Sequence, residues 1–222
     1  MITFLRSAYK AAAILVLAGF ATFALPSAVL PASAEKAKPA QLDESAKADI
    51  ARVENYLNGI KTMRTRFLQI AQDGSAASGE LTISRPGRMR LEYDPPQPTL
   101  LIANGTFLIY IDRYLQQVTH VFLKNTPVGV LVAENIKLSG ELTVTRFQRE
   151  PGVIRVTLAK TTEAEEGNIT LVFADGPLTL RQWIVIDAQG NRTSVTLDAL
   201  EYGVAVKPEM FQYTAPEQIP RN

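Results

Sequence analysis

The chain has 222 residues, a formal net charge of +1 and a hydrophobic fraction of 46%, which suits one large or two small folded domains. A chain so close to neutrality lacks the electrostatic footprint of a nucleic-acid-binding protein, so we expect no nucleic acid partner. The sequence contains no cysteine. This excludes disulfides, thiolate metal sites, a cysteine nucleophile and a lipid anchor attached to cysteine.

The first 34 residues are typical of a secretory signal peptide. Arg6 and Lys10 form a basic start, residues 11–25 form an apolar run, and Ala32-Ser33-Ala34 is a small-x-small cleavage site. The alternative is a membrane anchor, but the apolar run is shorter than the roughly 20 residues that a span needs. We therefore expect export to the periplasm, with cleavage after Ala34 and a polar linker over residues 35–42.

An amphipathic helix is predicted after this linker. Asp43 or Ser45 can cap its N-terminus, because their side-chain oxygens accept from free backbone amides of the first turn. Apolar residues then recur at helical spacing at Ile50, Val53, Leu57 and Ile60. Charged residues, Asp49 among them, occupy the opposite face. This pattern predicts a helix that lies with one side on an apolar surface.

After Met63 the hydrophobic period changes from 3.6 to 2, which indicates β-strands. We identify about eleven strand candidates, at residues 64–72, 79–86, 88–94, 99–103, 106–112, 116–123, 138–149, 153–160, 168–174, 178–187 and 191–203. Asn104-Gly105 and Asp175-Gly176 are typical of tight hairpin turns with positive φ. Short connections predict an antiparallel sheet, and a sheet of this size curls or closes rather than staying flat. The fold class is therefore mainly β.

One segment interrupts the run of strands. Residues 126–135 begin with Thr126 as a candidate N-cap and Pro127 at the first helical position. The residues that follow are apolar on every side for about two turns, so a helix here must be covered all round. We predict that this helix and the first one cover the apolar face of the curved sheet. The folded domain is expected to span residues 43–216, with a C-terminal tail at residues 217–222.

The sequence gives little sign of catalysis. The single histidine, His120, lies on an alternating strand, as a surface strand residue would. The common serine-hydrolase, zinc-peptidase and nucleotide-binding motifs are missing from the sequence. The densest acids, Glu163, Glu165 and Glu166, lie in a predicted hairpin loop, where solvated side chains are commoner than a carboxylate pair for glycoside hydrolysis. We expect no enzymatic activity, no metal and no cofactor.

An ordered series of short motifs resembles the LolA family of periplasmic lipoprotein carriers. The series is Phe67-x-Gln69, Gly79-Glu80-Leu81, Arg85 to Tyr93, Asn104-Gly105, Tyr110-Ile111-Asp112, Gln116 to Thr119 and Thr126-Pro127. The resemblance covers roughly residues 50–216 and implies an incomplete antiparallel β-barrel with a helical lid over a hydrophobic cavity. It implies a soluble chaperone that takes the acyl chains of lipoproteins from an inner-membrane ABC transporter to an outer-membrane receptor, LolB. LolB shares the fold but is lipidated on a cysteine, so the cysteine-free sequence favours the carrier.

The resemblance also implies roles for individual residues. Lipid-binding positions would be Phe67, Leu81, Ile83, Met89, Leu91 and Tyr93, and lid positions would be Val130, Leu131 and Val132. Met89 stands where the family usually has phenylalanine, and Leu91 stands where tryptophan is common. Both residues keep an apolar side chain but lose aromatic area. Arg85 matches the family arginine that holds the lid closed, and a buried guanidinium needs acceptors such as the carbonyls at a helix C-terminus. The alternatives are plain core packing for the apolar residues and a solvated strand-end charge for Arg85.

Two other functions stay open on the sequence alone. One is a carrier for a different lipid, and the other is a periplasmic sensor of lipid or lipoprotein signals on the same fold. A second tandem domain would favour the sensor, whereas here one domain's length follows the signal segment. We expect a monomer.

Overall fold

An antiparallel sheet of eleven strands dominates residues 36–213, the part of the chain that the computed structural model describes. The strands are β1 (Thr62–Ile70), β2 (Ala76–Ser84), β3 (Arg88–Tyr93), β4 (Thr99–Asn104), β5 (Phe107–Asp112), β6 (Gln117–Phe122), β7 (Leu142–Glu150), β8 (Val153–Lys160), β9 (Gly167–Asp175), β10 (Leu178–Asp187) and β11 (Arg192–Tyr202). The predicted eleven-stranded antiparallel sheet is confirmed. The expected signal peptide and the tail at residues 217–222 lie outside the described residues.

The strand order places two sequence neighbours at opposite edges of the sheet. Across the sheet the order is β6-β5-β4-β3-β2-β1-β11-β10-β9-β8-β7. Residues 123–141, which we call the crossover segment, therefore run from one edge strand to the other. At the β7 edge, the amide of Ala40 donates to the carbonyl of Val144 at 2.8 Å. The described part of the predicted linker thus packs beside the sheet.

Side chains from both halves of the sheet meet in one apolar cluster, which we call the interior cluster. Met89 and Leu91 of β3 share it with Val156 of β8 and Leu171 of β9. Strands so far apart in the sheet order can share a core only if the sheet curls on itself, as large twisted sheets do. The sheet is therefore an incomplete barrel with an apolar concave face, as expected from the sequence.

One long helix, α1 (Glu44–Gly59), lies on the concave face of the sheet. Asp43 is its N-cap, and its carboxylate accepts a hydrogen bond from the amide of Ala46 at 2.7 Å. Val53 and Leu57 are fully buried in the interior cluster, as the helical spacing predicted. Asp49, predicted on the exposed face, is instead buried. Among residues 36–213, no helix is long and apolar enough to cross a membrane.

The C-terminal part of the described chain covers the outer face of β4 and β5. Phe211, in the 3₁₀ helix Pro208–Phe211, is buried and packs with Leu100, Ile102, Ile109 and Ile111 in a second apolar cluster. The guanidinium of Arg88 lies 5.8 Å from the centre of the Phe211 ring, and Arg90 donates to the carbonyl of Met210 at 3.2 Å. Both faces of β4 are therefore covered.

The two hairpin turns predicted from glycine differ in the structure. Gly105 has the expected positive φ of 100°, and the side chain of Asn104 accepts from the amide of Phe107 at 2.9 Å. Gly176 does not have a positive φ, so the prediction for that turn was wrong. The residue after it is Pro177, and a proline biases the preceding residue towards extended backbone. The hairpin itself, between β9 and β10, is present.

Candidate functional site

The predicted lipid-binding residues lie together on the concave face, in a closed arrangement. Each belongs to the interior cluster and is at most 7% exposed; they are Phe67, Leu81, Ile83, Met89, Leu91 and Tyr93. The predicted lid residues Val130, Leu131 and Val132 are buried in the same cluster. The structure thus brings both predicted sets into contact with one core. Their role in lipid binding stays a prediction.

Aromatic packing fixes the centre of this surface. The rings of Phe67 and Tyr93 meet edge to face, with their centroids 5.1 Å apart. The hydroxyl of Tyr93 donates to the side-chain oxygen of Gln69 at 2.6 Å. Burial raises the pKa of Tyr93, so the hydroxyl stays a neutral donor at physiological pH. The Phe-x-Gln motif therefore supplies both an aromatic wall and a polar anchor for Tyr93.

Arg85 joins the sheet to both elements that cover it. It lies at the corner between β2 and β3, and it donates to the carbonyl of Leu57 in the last turn of α1. Its Nε also donates to the carbonyl of Leu131 at 3.0 Å. Burial lowers the pKa of Arg85 to about 10, so the guanidinium stays charged at physiological pH. A half-buried cation thus binds the backbone of both covering elements, and its role as a latch stays a prediction.

The β2–β3 corner makes one more contact with the crossover segment. The amide of Gly87 donates to the carbonyl of Val132 at 2.7 Å, one residue beyond the acceptor of Arg85. Gly87 has a positive φ of 73°, and a side chain on it would meet the backbone of Gly105 at 2.7 Å. Glycine is required here because the two turns approach so closely. Two successive carbonyls of the crossover segment are thus bound to one corner.

The covering part of the crossover segment is a 3₁₀ helix, Pro127–Val132, and not the predicted helix over residues 126–135. Thr126 does not cap it; its hydroxyl donates back to the carbonyl of Leu123 at 2.8 Å. Gly129 packs so tightly on this turn that a side chain would meet the carbonyl oxygen of Leu123 at 2.7 Å. Glycine is therefore the residue that this turn accommodates. The apolar, covered character predicted from the sequence is confirmed.

A cleft of about 1400 Å³ opens between the crossover segment and the β8–β9 end of the sheet. Its apolar lining comes from Val130, Val132, Ile136, Leu142, Leu158 and Ile169, all of which also contact the interior cluster. Charged side chains form part of its wall: Lys124, Glu134, Lys137, Glu141, Lys160, Glu163 and Glu166. Sequence reasoning missed the β8 and β9 side of this site. The alternation of Ile154, Val156 and Leu158 was the signal that could have found it.

An ionic cluster also ties α1 to the sheet, which sequence reasoning missed as well. The Asp49 carboxylate accepts from Arg52 at 2.7 Å and from Arg149 on β7. Asp175 on β9 accepts from the same two guanidinium groups, at 2.7 and 3.1 Å. The two carboxylates and two guanidinium groups form a closed ring. The N-terminal half of α1 is therefore fixed to β7 and β9, while Arg85 holds its C-terminal end.

The chain is similar to known proteins in sequence and, more distantly, in structure. A family model described as outer membrane lipoprotein carrier protein LolA matches residues 58–214. An outer-membrane lipoprotein carrier protein of Azotobacter vinelandii is 30% identical over 198 residues, covering 85% of this chain and 93% of that protein. One of Pseudomonas syringae is 29% identical over 189 residues, covering 81% and 88%. The crystal structure of a DUF1329 family protein from Desulfovibrio piger superposes with a TM-score of 0.49 at 10% identity, covering 76% of this chain and 97% of that one.

Proposed function

The chain belongs to the LolA family of outer membrane lipoprotein carrier proteins, and from this premise we propose that it binds the acyl chains of lipoproteins and carries them across the periplasm to the outer membrane. It acts as a chaperone and not as an enzyme. The partners are an inner-membrane ABC transporter that loads the cargo and an outer-membrane receptor of the LolB kind that takes it. The N-terminal signal segment directs the protein to the periplasm.

One observation carries this proposal: a curled sheet keeps an apolar concave face under a cover that hydrogen bonds hold in place. The six predicted lipid-binding residues lie on that face, and Arg85 binds the backbone of both covering elements. Acyl chains in water need such a shield, because each methylene that is buried contributes about 0.8 kcal/mol. A cover that opens gives the chains access to the concave face. When the cover recloses on its own apolar contacts, it displaces the chains from the concave face.

The cleft is the route of entry in this proposal. Its apolar lining is continuous with the interior cluster, through residues such as Val132 and Leu158. Its charged wall suits the polar linkage and the polypeptide of the cargo, which stay in water. Full burial of three acyl chains would bind the cargo too tightly for release. The energy regained when the cover recloses on its own apolar contacts offsets part of that affinity.

A release assay tests the proposal. Purified protein is mixed with inner-membrane vesicles that carry a tagged lipoprotein, ATP is added, and the membranes are removed by centrifugation. We expect the tagged lipoprotein in the supernatant as a one-to-one complex with the protein. If the lipoprotein stays in the pellet while the protein still binds an apolar fluorescent probe, the cargo is another lipid. Mass spectrometry of lipids extracted from the purified protein then identifies that lipid.

A further inference from the structure

An extended piece of the crossover segment lies along α1 and is bound by two of its side chains. The Nδ2 of Asn58 donates to the carbonyl of Ile136 at 2.9 Å, and the amide of Ile136 donates back to Asn58 Oδ1 at 2.8 Å. The amide of Leu138 donates to Glu54 Oε1 at 2.6 Å. An asparagine is well suited to the first pair, because its amide both donates and accepts as a backbone peptide does.

The spacing of the two elements makes this pairing possible. Residues four apart on a helix are separated by about 6 Å along its axis, since each residue rises about 1.5 Å. Residues two apart on an extended chain are separated by about 6.6 Å. Glu54 and Asn58 are four apart, and the amides that they bind are two apart. The side chains of Ile136 and Leu138 are buried in the interior cluster, while Lys137 between them is exposed.

The helix that carries these two side chains is itself fixed to the sheet. The ring of charges around Asp49 binds its N-terminal half to β7 and β9. In its last turn, the hydroxyl of Tyr56 accepts from the amide of Leu180 on β10 at 3.0 Å and lies 2.7 Å from the hydroxyl of Tyr202. α1 is therefore bound to the sheet near both of its ends, and we expect opening to move the crossover segment rather than α1.

We propose that Asn58 and Glu54 form a second latch, separate from Arg85, that holds the C-terminal half of the crossover segment over the concave face. Arg85 binds Leu131, before the loop at residues 133–135 that lines the cleft, and the second latch binds Ile136 and Leu138 after it. The loop is thus pinned on both sides. Cargo entry requires release of both pins, a consequence that rests on the proposed carrier function.

The bonds of the second latch suit repeated opening. Glu54 and Asn58 are half-buried, so water can reach the contact and replace each hydrogen bond as it breaks. Arg85 differs in that its donors belong to a guanidinium, whereas the second latch pairs a neutral amide, Asn58, and a carboxylate, Glu54, with backbone groups. The two latches therefore respond to different disturbances: the first to a ligand that competes for the guanidinium, the second to a peptide that competes for backbone pairing.

Amide exchange in the purified, cargo-free protein tests the latch directly, because each pin has its own reporter. The amides of Ile136 and Leu138 report on the second latch, and the amide of Gly87, bound to Val132, reports on the first. In the double variant that carries both Asn58→Leu and Glu54→Leu, we expect at least tenfold faster amide exchange at Ile136 and Leu138 and unchanged amide exchange at Gly87. Asn55→Leu, at an exposed asparagine of the same helix, is the matched control and should change none of the three.

Two conservative variants separate latch function from a general loss of folding. Glu54→Gln keeps an acceptor for the Leu138 amide, so this amide should stay protected from exchange. Asn58→Asp keeps the acceptor for the Ile136 amide but loses the donor to the Ile136 carbonyl, so the Ile136 amide should stay protected only in part. Amides in the β1–β11 pair report that the sheet is intact. The proposal is overturned if exchange at Ile136 is unchanged in the double variant. It is also overturned if Gly87 loses protection in step, since the crossover segment then opens as one unit.

A second measurement connects the latch to cargo. In the release assay followed by transfer to outer membranes, the Asn58→Leu, Glu54→Leu protein should deliver several-fold less lipoprotein than the wild type and keep more of it bound. If wild-type protein takes up no lipoprotein while the exchange pattern is as expected, the carrier proposal fails and the latch stands. If delivery by the variant equals that of the wild type, the latch has no part in cargo handling and that part of the proposal is wrong.

Discussion

The ring of Phe67 packs directly over Gly79, its cross-strand partner in the β1–β2 pair. A side chain on Gly79 would meet the ring at 2.7 Å and the carbonyl oxygen of Glu92 at 2.2 Å. The aromatic ring therefore occupies the space that a β-carbon would need. This close approach is what lets Phe67 reach Tyr93 on the next strand but one.

Gly79→Ala is expected to lower the free energy of unfolding by about 1–3 kcal/mol, because an extra methyl group in a filled site forces its neighbours to move. Urea unfolding measures the change. Gly59→Ala is the matched control, since nothing lies within 4 Å of a side chain built there and its φ is not positive. That change should stabilise the protein by about 0.5–1 kcal/mol. Equal effects at the two glycines would contradict the packing argument.

Arg85→Leu is expected to open the cover while changing the free energy of unfolding by less than about 1 kcal/mol. Relief from burying a charge offsets the two hydrogen bonds that are lost. We expect faster binding of an apolar fluorescent probe and retention of lipoprotein that the wild type delivers. Arg146→Leu, at an exposed arginine on β7, serves as the control. Normal delivery by Arg85→Leu would show that the latch is not needed.

Asp49→Ala is expected to lower the free energy of unfolding by about 2 kcal/mol, since a buried carboxylate that accepts from two guanidinium groups is lost. The N-terminal half of α1 should also exchange its amides faster. Glu44→Ala removes an exposed partner of Lys47 on the same helix and should cost less than about 0.5 kcal/mol. Thermal unfolding of both variants checks the difference. A small effect at Asp49 would mean that apolar contacts alone hold α1.

The pairing of Asp94 with Arg66 should make the free energy of unfolding depend on pH. Arg66, and after it the hydroxyl of Ser78, hold the pKa of the Asp94 carboxyl below its usual value of 3.8. The folded state therefore favours the charged form, so its contribution to stability is present above pH 3.8 and is lost as the pH falls below that value. The stability difference between wild type and Asp94→Asn should shrink between pH 7 and pH 2, and also in high salt. Urea titrations at several pH values measure it; a difference that grows towards low pH would be inconsistent with this pairing.

The strands could be predicted because their signal is local. Alternation in β3 identifies Met89, Leu91 and Tyr93 as one face, and the three are buried as expected. The positive φ predicted for Gly176 was wrong, because the following Pro177 restricts the backbone of Gly176 and outweighs the general tolerance of glycine for positive φ. Local rules fail where two of them compete. The hairpin between β9 and β10 was still predicted correctly, because the pairing of the two strands fixes it whatever the φ of Gly176.

The contacts that close the site could not be read from the sequence, because they join residues far apart in the chain. Asp49 has the spacing of a solvent-facing helix position, and only the fold brings Arg149 next to it. The pairing of Asn58 with Ile136 uses a side chain against a backbone, which leaves no pattern in the sequence of the crossover segment. Arg85 was found through the resemblance of its motif, since a single arginine after a strand carries no such information.

The crossover segment connects the two edge strands of the sheet, and its length has a mechanical consequence. Fully extended, residues 123–141 would reach roughly 60 Å. Much of that reach is taken up in short 3₁₀ turns. The two edges of the sheet are therefore joined by a segment that holds more length than its folded path uses. If the protein carries acyl chains as proposed, we expect this spare length to let the edges move apart, so that chains of different length share the concave face.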